Sequence, residues 1–418
     1  MVTFKIKSNN ELVKSSYPYG MVFDLSKAPD DFWETIGSDG GGVRVYESDG
    51  ETELPRGVKL FDKTEKKGLL YFKANGISTS SDTEFVIKAT GGSDYADDHE
   101  FGLNNVFHSS YKGYFGLNED TINAVDYTGN DYVWGWNATT DIVKDGGVLG
   151  KSTYFGGVNN AYATITDMGK DHINGKQVFT ICFILKTDDE NWASNWVGPI
   201  SGGLGKSRFE LGSAGSLSHF DTPLDPVPGY VNANLYNRFN FIALTCDGAN
   251  GYRYFVNGSQ THSGSITGDF TADDAMLVGA RRTGSFGTIT GWMDEIFFTD
   301  GVMSNNELET IYNNRFEQED FWDVLERISK ITGVVPDLEN GYVYGIIPES
   351  SYTPIHLNIV SNGVSYSTED ANENIQYWNG SSWATYPSAG LSSSAGEQFR
   401  LNIGSSKVGY FSVYAYSK

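Results

Sequence analysis

Trp192 and Trp196 stand four residues apart in DDENWASNWVGP (188–199), interleaved with Asp188, Asp189, Asn191 and Asn195. Indole planes beside amides and carboxylates suit sugar recognition, because a pyranose offers C–H patches to an aromatic face and hydroxyls to polar groups. The polar setting predicts a loop at a strand end; the competing role for both tryptophans is packing over a sheet edge. Trp134 and Trp136 in NDYVWGWNATTD (130–141) form a second cluster with the same two readings. His219 and Asp221, in the Pro-rich loop LSHFDTPLDPVPGY (217–230), are candidates to line the same rim.

Groups for bond cleavage are harder to find. Glu47, Asp49 and Glu51 alternate as carboxylates do on one face of a glycoside-cleaving strand, but Ser48 and Gly50 between them make Ser-Asp-Gly a turn. The six histidines are scattered, and no Gly-x-Ser-x-Gly elbow, His-Glu-x-x-His pair or phosphate-binding glycine loop is present. No catalytic residue is assigned, and a non-enzymatic protein is expected.

Composition narrows the partners. Lys and Arg number 30 against 53 Asp and Glu, a net charge of −23. Phosphate binding needs clustered cations, so nucleic acid is not an expected partner; the acidity suits solubility or divalent cations held in loops. No apolar run approaches the ~20 residues that span a bilayer, so no membrane insertion is expected. MVTFKIKSNNELVKSS lacks the apolar core of a signal peptide, which predicts synthesis and folding in a cytoplasm unless a signal has been removed. Cys182 and Cys246 sit in apolar strands; two buried thiols are expected, with a bridge across two sheets as the alternative.

The elements that must position these residues read as strands. In VFTICFILK (178–186), Phe179, Ile181, Phe183 and Leu185 fall on one face, Cys182 and Ile184 on the other. Both faces are apolar, so this strand is expected at the centre of a two-layer structure. Further strands are expected at 207–212, 239–247 and 252–256, the last ending in Asn257-Gly258. The abundance of Gly (49), Tyr (25) and Phe (25) also points to an all-β, turn-rich chain.

Taken together, Thr245-Cys-Asp247-Gly248, Asn257-Gly258, Met293-Asp294-Glu295-Ile296 and Ser304-Asn-Asn-Glu307-Leu308 resemble the LamG-like, concanavalin-A-type jelly roll, over roughly 114–314. That family serves as lectins, adhesion modules and spacers, so the resemblance implies a fold more than an activity. It also implies calcium: Asp126 in DYTGND (126–131) and Asp294 would be carboxylate ligands, with Asn130 or a nearby carbonyl beside them. The alternative is that Asp126 caps a turn and Asp294 binds loop amides.

The preceding residues, with Asp31-Phe32-Trp33, Asp39-Gly40-Gly41, Ser48-Asp49-Gly50 and Glu53-Leu54-Pro55, resemble a small β-domain of unknown function found before LamG-like domains in prokaryotic surface and phage tail proteins. Gly41-Gly42-Val43-Arg44 departs mildly from that pattern. The expected organisation is an N-terminal β-domain over 1–112, a LamG-like jelly roll over 113–315, a helical connector over 316–340 and a small β-sandwich over 341–418. The connecting helix is placed at 317–331, where Phe321, Leu325 and Ile328 form a stripe behind an acidic first turn. In the last region Trp378, Trp383 and Tyr386 are assigned to a core.

The functional expectation is a phage virion component made in the host cytoplasm: a tail-fibre, receptor-binding or capsid-decoration protein, homo-oligomeric and in contact with other virion proteins and host-surface glycans. The alternatives are a secreted prokaryotic cell-surface adhesin and a glycan-cleaving enzyme, which would need an acidic pair on the concave sheet.

Overall fold

Strand Val178–Thr187 is central, as its two apolar faces require. It pairs antiparallel with Asn240–Asp247 on one side and Thr290–Thr299 on the other. In the computed structural model, Phe179, Ile181, Phe183 and Leu185 enter the core between two sheets, and Cys182 and Ile184 enter a second core behind. The structure describes residues 2–17, 19–139, 142–157, 161–188, 198–203, 206–211, 216–220, 222–225, 231–232, 235–281, 287–330, 335–337, 342–346, 355–361, 364–367, 375–379, 381–387, 398–402 and 411–417.

Among the described residues the sandwich has a nine-stranded and a seven-stranded sheet. The nine-stranded sheet runs from Ile142–Gly146 through Lys151–Gly156, Thr290–Thr299, Val178–Thr187, Asn240–Asp247, Tyr252–Val256 and Ser259–Ile266 to Leu224–Asp225, with Tyr111–Phe115 pairing beside Thr290–Thr299. Cys182 and Cys246 are buried and free. They belong to the cores on opposite sides of this sheet, which rules out a bridge between them here.

The second core joins the back of that sheet to the N-terminal region. Strands Tyr19–Asp24, Lys67–Ala74 and Arg56–Asp62 form a three-stranded sheet whose Phe23 and Phe72 pack with Phe4, Phe85 and Trp322. Opposite lies an eight-stranded sheet in which Val2–Ser8, Val43–Glu47, Glu53–Leu54 and Glu84–Ala89 continue into Trp322–Lys330, Phe411–Ser417, Ile355–Ser361 and Val364–Ser367. Chain from both ends of the sequence thus shares one sheet.

The helix expected at 317–331 is a correction. The helix is Asn305–Phe316, opened by a capping box in which Ser304 and Glu307 satisfy each other's backbone N–H. One further turn, Gln318–Phe321, leads into strand Trp322–Lys330. An unpaired edge overrides the helical stripe: Trp322–Leu325 pair with Ser8–Lys5, and the Trp322 indole is buried and donates to the carbonyl of Val22 at 2.8 Å.

Asp49 accepts the backbone N–H groups of Glu51 and Thr52, so the chain turns at Ser48-Asp49-Gly50 directly after strand Val43–Glu47, and Glu47, Asp49 and Glu51 do not share one strand. In the last region Tyr386 is buried, whereas Trp378 is 38% exposed, which corrects the assignment of Trp378 to a core.

Candidate functional site

The outer face of the nine-stranded sheet is covered over part of its width. Phe297, Phe241 and Phe255 lie under the second core with Leu308 and Ile311 of helix Asn305–Phe316. The turn at 147–150 folds back over Asp294: a Cβ at Gly147 would stand 2.5 Å from Asp294 Oδ2, and one at Gly150, whose φ is +76°, 2.5 Å from Leu60 Cδ1. Beyond that cover the face opens.

There the register lines up one row across four strands, with Val143 opposite Tyr154, Tyr154 opposite Trp292 and Trp292 opposite Lys186. Val143 is 48% exposed; Tyr154, Trp292 and Lys186 are half-buried. The Tyr154 and Trp292 rings lie 4.9 Å apart at 45°. Lys186 Nζ sits 5.0 Å from the Trp292 ring centroid and 5.0 Å from that of Phe239, within cation–π range of both. The row therefore continues to a fifth segment.

Two residues further along the same faces come exposed Asp188 and half-buried Thr290, whose carbonyl accepts the Asp188 N–H at 3.2 Å. Tyr236, 38% exposed, reaches this end of the sheet through a backbone bridge to Thr187. Gly291 keeps the strands close: a Cβ there would stand 2.3 Å from the Lys186 carbonyl oxygen. At about 4.8 Å between strands, the row from Val143 to Lys186 spans roughly 14 Å, wider than one sugar ring.

The residues predicted from sequence are distributed differently. Asp188 belongs to this face. Trp192, Asn195 and Trp196 lie outside the described residues. The backbone of His219 is in strand Ser216–Phe220, not in a loop as expected, and its side chain lies outside what the structure describes. Trp134 and Trp136 occupy the edge strand of the seven-stranded sheet. Trp134 is buried against Phe115, and half-buried Trp136 donates to the Ile122 carbonyl at 3.0 Å and packs on Phe155. Sequence reasoning missed Tyr154, Trp292, Lys186 and Phe239, whose common face appears only once the strand register is known.

The carboxylates implied as calcium ligands are engaged with amides. Asp126 Oδ1 accepts from Tyr114 N at 3.1 Å, Thr128 N at 3.0 Å and Thr128 Oγ1 at 2.8 Å; Oδ2 accepts from Tyr132 N at 3.4 Å. Burial pushes its pKa up, only partly opposed by those bonds. Asn130 Nδ2 donates to the carbonyls of Tyr111 and Lys112 and to Thr128 Oγ1. Asp294 Oδ2 accepts from Val148 N at 2.8 Å and Oδ1 from Glu295 N at 2.8 Å; burial, with Glu295 beside it, raises its pKa well above the carboxylate range. Calcium takes six to eight converging oxygens, and among the described residues no three His, Cys, Asp or Glu side chains converge. The donor set fits two amide-capped carboxylates better than an ion site.

Residues 155–309 match the family model described as "Concanavalin A-like lectin/glucanases superfamily". No curated protein matches the chain. Solved structures similar to it include domain 4 of AbnA, a GH43 extracellular arabinanase from Geobacillus stearothermophilus in complex with arabinotriose (14% identity, 49% of this chain and 98% of that one, TM-score 0.37). The receptor-binding domain of botulinum neurotoxin D is 12% identical over 66% of this chain and 77% of that one, with a TM-score of 0.40. The binding domain of Paraclostridial Mosquitocidal Protein 1 is 14% identical over 68% of each chain, with a TM-score of 0.39. The match of 155–309, on a two-sheet sandwich with the expected central strand, identifies this part of the chain as a lectin-like domain of the concanavalin A-like superfamily.

Proposed function

We propose that the chain is a non-enzymatic glycan-binding protein of a biological surface, and that the open outer face of the nine-stranded sheet takes the sugar. The observation that carries this reading is the Val143–Tyr154–Trp292–Lys186 row, half-exposed where the sheet's cover ends, with Asp188 and Thr290 beside it. Flat aromatic faces with a few fixed polar groups are what a saccharide needs. The lectin-like fold supports the same class of ligand. The setting we infer is a phage virion, in a tail or capsid position and as a homo-oligomer, with a prokaryotic cell-surface adhesin as the other home for the same chemistry.

A glycan array on the full chain tests the reading. Wild type is expected to bind a defined glycan set and Trp292→Ala to lose it, while Val125→Ser, exposed and not a member of the row, keeps it. Equal binding by wild type and Trp292→Ala would remove the site; release of reducing ends from the bound glycan would replace a binding protein by an enzyme. Mass spectrometry of purified virions and cell envelopes from the source decides the setting.

A further inference from the structure

Asparagine followed by glycine leaves a side-chain amide open to its own backbone, because the glycine nitrogen, with no Cβ beside it, can close on the asparagine Cγ. The chain has seven such pairs, starting at Asn75, Asn174, Asn250, Asn257, Asn340, Asn362 and Asn379; those at 340 and 362 lie outside the described residues. Closure needs a glycine N–H without an acceptor, an asparagine side chain free to turn, and room for the ring that forms.

Four of the pairs lack one of these. The N–H of Gly175 donates to the Phe270 carbonyl at 2.9 Å and that of Gly251 to the Gly248 carbonyl at 3.1 Å, so both nitrogens are engaged. The Asn257 amide is clamped: Oδ1 accepts from Phe241 N at 2.9 Å and Nδ2 donates to Asn240 Oδ1 at 3.0 Å, while a Cβ at Gly258 would stand 3.1 Å from Glu309 Cα. Asn379 Oδ1 accepts from the backbone N–H groups of Ser381 at 3.0 Å and Ser382 at 2.9 Å.

Asn75-Gly76 differs in every respect. The pair follows directly on strand Lys67–Ala74, and both residues are exposed. Among the described residues nothing accepts the Gly76 N–H or donates to Asn75 Oδ1. One bond holds the side chain, from Nδ2 to Glu47 Oε1 at 3.1 Å. A Cβ at Gly76 would meet nothing nearer than the Ser16 carbonyl oxygen at 3.8 Å, so the space around the pair is open. We propose that Asn75 is a site of intramolecular deamidation, with water as the co-reactant. Gly76 N gives its proton to a base of the solvent and bonds to Asn75 Cγ; the Cγ–Nδ2 bond breaks, and Nδ2 takes up protons and leaves as ammonia. Water then opens the cyclic imide. Attack at Cγ gives aspartate, and attack at the backbone carbonyl of Asn75 gives isoaspartate, in which the main chain runs through Cβ and Cγ. Either product sets a carboxylate where an amide now donates to Glu47. The site is independent of the jelly-roll face.

The test holds the full chain at physiological temperature in neutral and in mildly alkaline buffer, and quantifies each Asn-Gly peptide by mass spectrometry after a brief acidic digestion, with isoaspartate labelled by a protein isoaspartyl methyltransferase. Asn75 is expected to convert severalfold faster than Asn174, Asn250, Asn257 and Asn379, faster still in the alkaline buffer, and to yield both products. Gly76 is not among the glycines at positive φ, so alanine fits its backbone; Gly76→Ala should slow conversion at Asn75 severalfold. In urea, where the hydrogen bonds are gone, the five pairs should convert at similar rates. Conversion at Asn75 no faster than at the other four in the folded chain, wild-type conversion in Gly76→Ala, or a preference for Asn75 that persists in urea would each overturn the proposal.

Discussion

The guanidinium of Arg315 lies along the carboxylate of Glu295, Nε standing 2.8 Å from Oε1 and 3.0 Å from Oε2, with both side chains sealed from solvent. Glu295 owes its position to a bulge: Phe183 pairs with Ile296 and Ile184 with Asp294, leaving Glu295 unpaired at a φ of 31°. The same guanidinium donates to the Gly20 carbonyl and the Tyr114 hydroxyl, while Asn314 holds both backbone groups of Val22. One buried polar network thus fastens the lectin-like sandwich to the N-terminal strands. Burial opposes the charge on Arg315, yet Glu295 holds its pKa above the ordinary arginine value.

Removing one partner leaves the other charge buried and unpaired. Arg315→Ala is therefore expected to lower stability by about 3–5 kcal/mol, read as a shifted midpoint in urea. Glu295→Ala should cost similarly, and the double variant clearly less than the sum, because no orphan charge remains. Strict additivity of the two losses would refute the coupling.

The jelly-roll face makes a separate prediction about binding against stability. Cross-strand aromatic pairs are worth about 0.2–1 kcal/mol, so Trp292→Ala should lower stability only by that order while abolishing glycan binding. Trp292→Phe should restore part of the binding. A stability loss of several kcal/mol with binding intact would make the row a structural feature alone.

Calcium offers a sharp contrast with what the lectin-like resemblance implies. With the oxygens of Asp126 and Asp294 already accepting backbone N–H groups, millimolar EDTA or calcium is expected to leave the thermal midpoint unchanged. A ligand present at 100 times its dissociation constant would add about 2.7 kcal/mol, so a rise of several degrees on adding calcium would show a site that these carboxylates do not reveal.

How much of this was legible in the sequence differs by element. Val178–Thr187 was readable as central because its two apolar faces are written in period two. Trp322–Lys330 was not, because Phe321, Leu325 and Ile328 also fit a helix and only the free edge of Val2–Ser8 decides between them. The candidate face was least legible. Tyr154, Trp292, Lys186 and Phe239 are far apart in sequence, and antiparallel register alone brings them into one row. Asp188 was found because it sits in a locally polar, aromatic-rich stretch.

Lys144 supplies a pH prediction. It points inward from the edge strand Ile142–Gly146, its Nζ 2.5 Å from the Leu117 carbonyl and 3.0 Å from Thr153 Oγ1, and burial lowers its pKa to about 8. In the unfolded chain a lysine titrates near 10.4. Between those values the unfolded state binds more protons than the folded one, so stability rises with pH across the window. The rise contributed by Lys144 between pH 7 and 9.5 should be about 2 kcal/mol, since each tenfold difference in proton affinity is worth about 1.36 kcal/mol. Buried tyrosines such as Tyr71 and Tyr114, whose pKa values burial raises well above 10, act in the opposite sense only above pH 10. Lys144→Met removes the titrating group, so the gain in urea midpoint from pH 7 to 9.5 should shrink relative to wild type. Comparing the two slopes cancels the hydrogen bonds lost in the variant; parallel slopes would show that Lys144 does not titrate in this range.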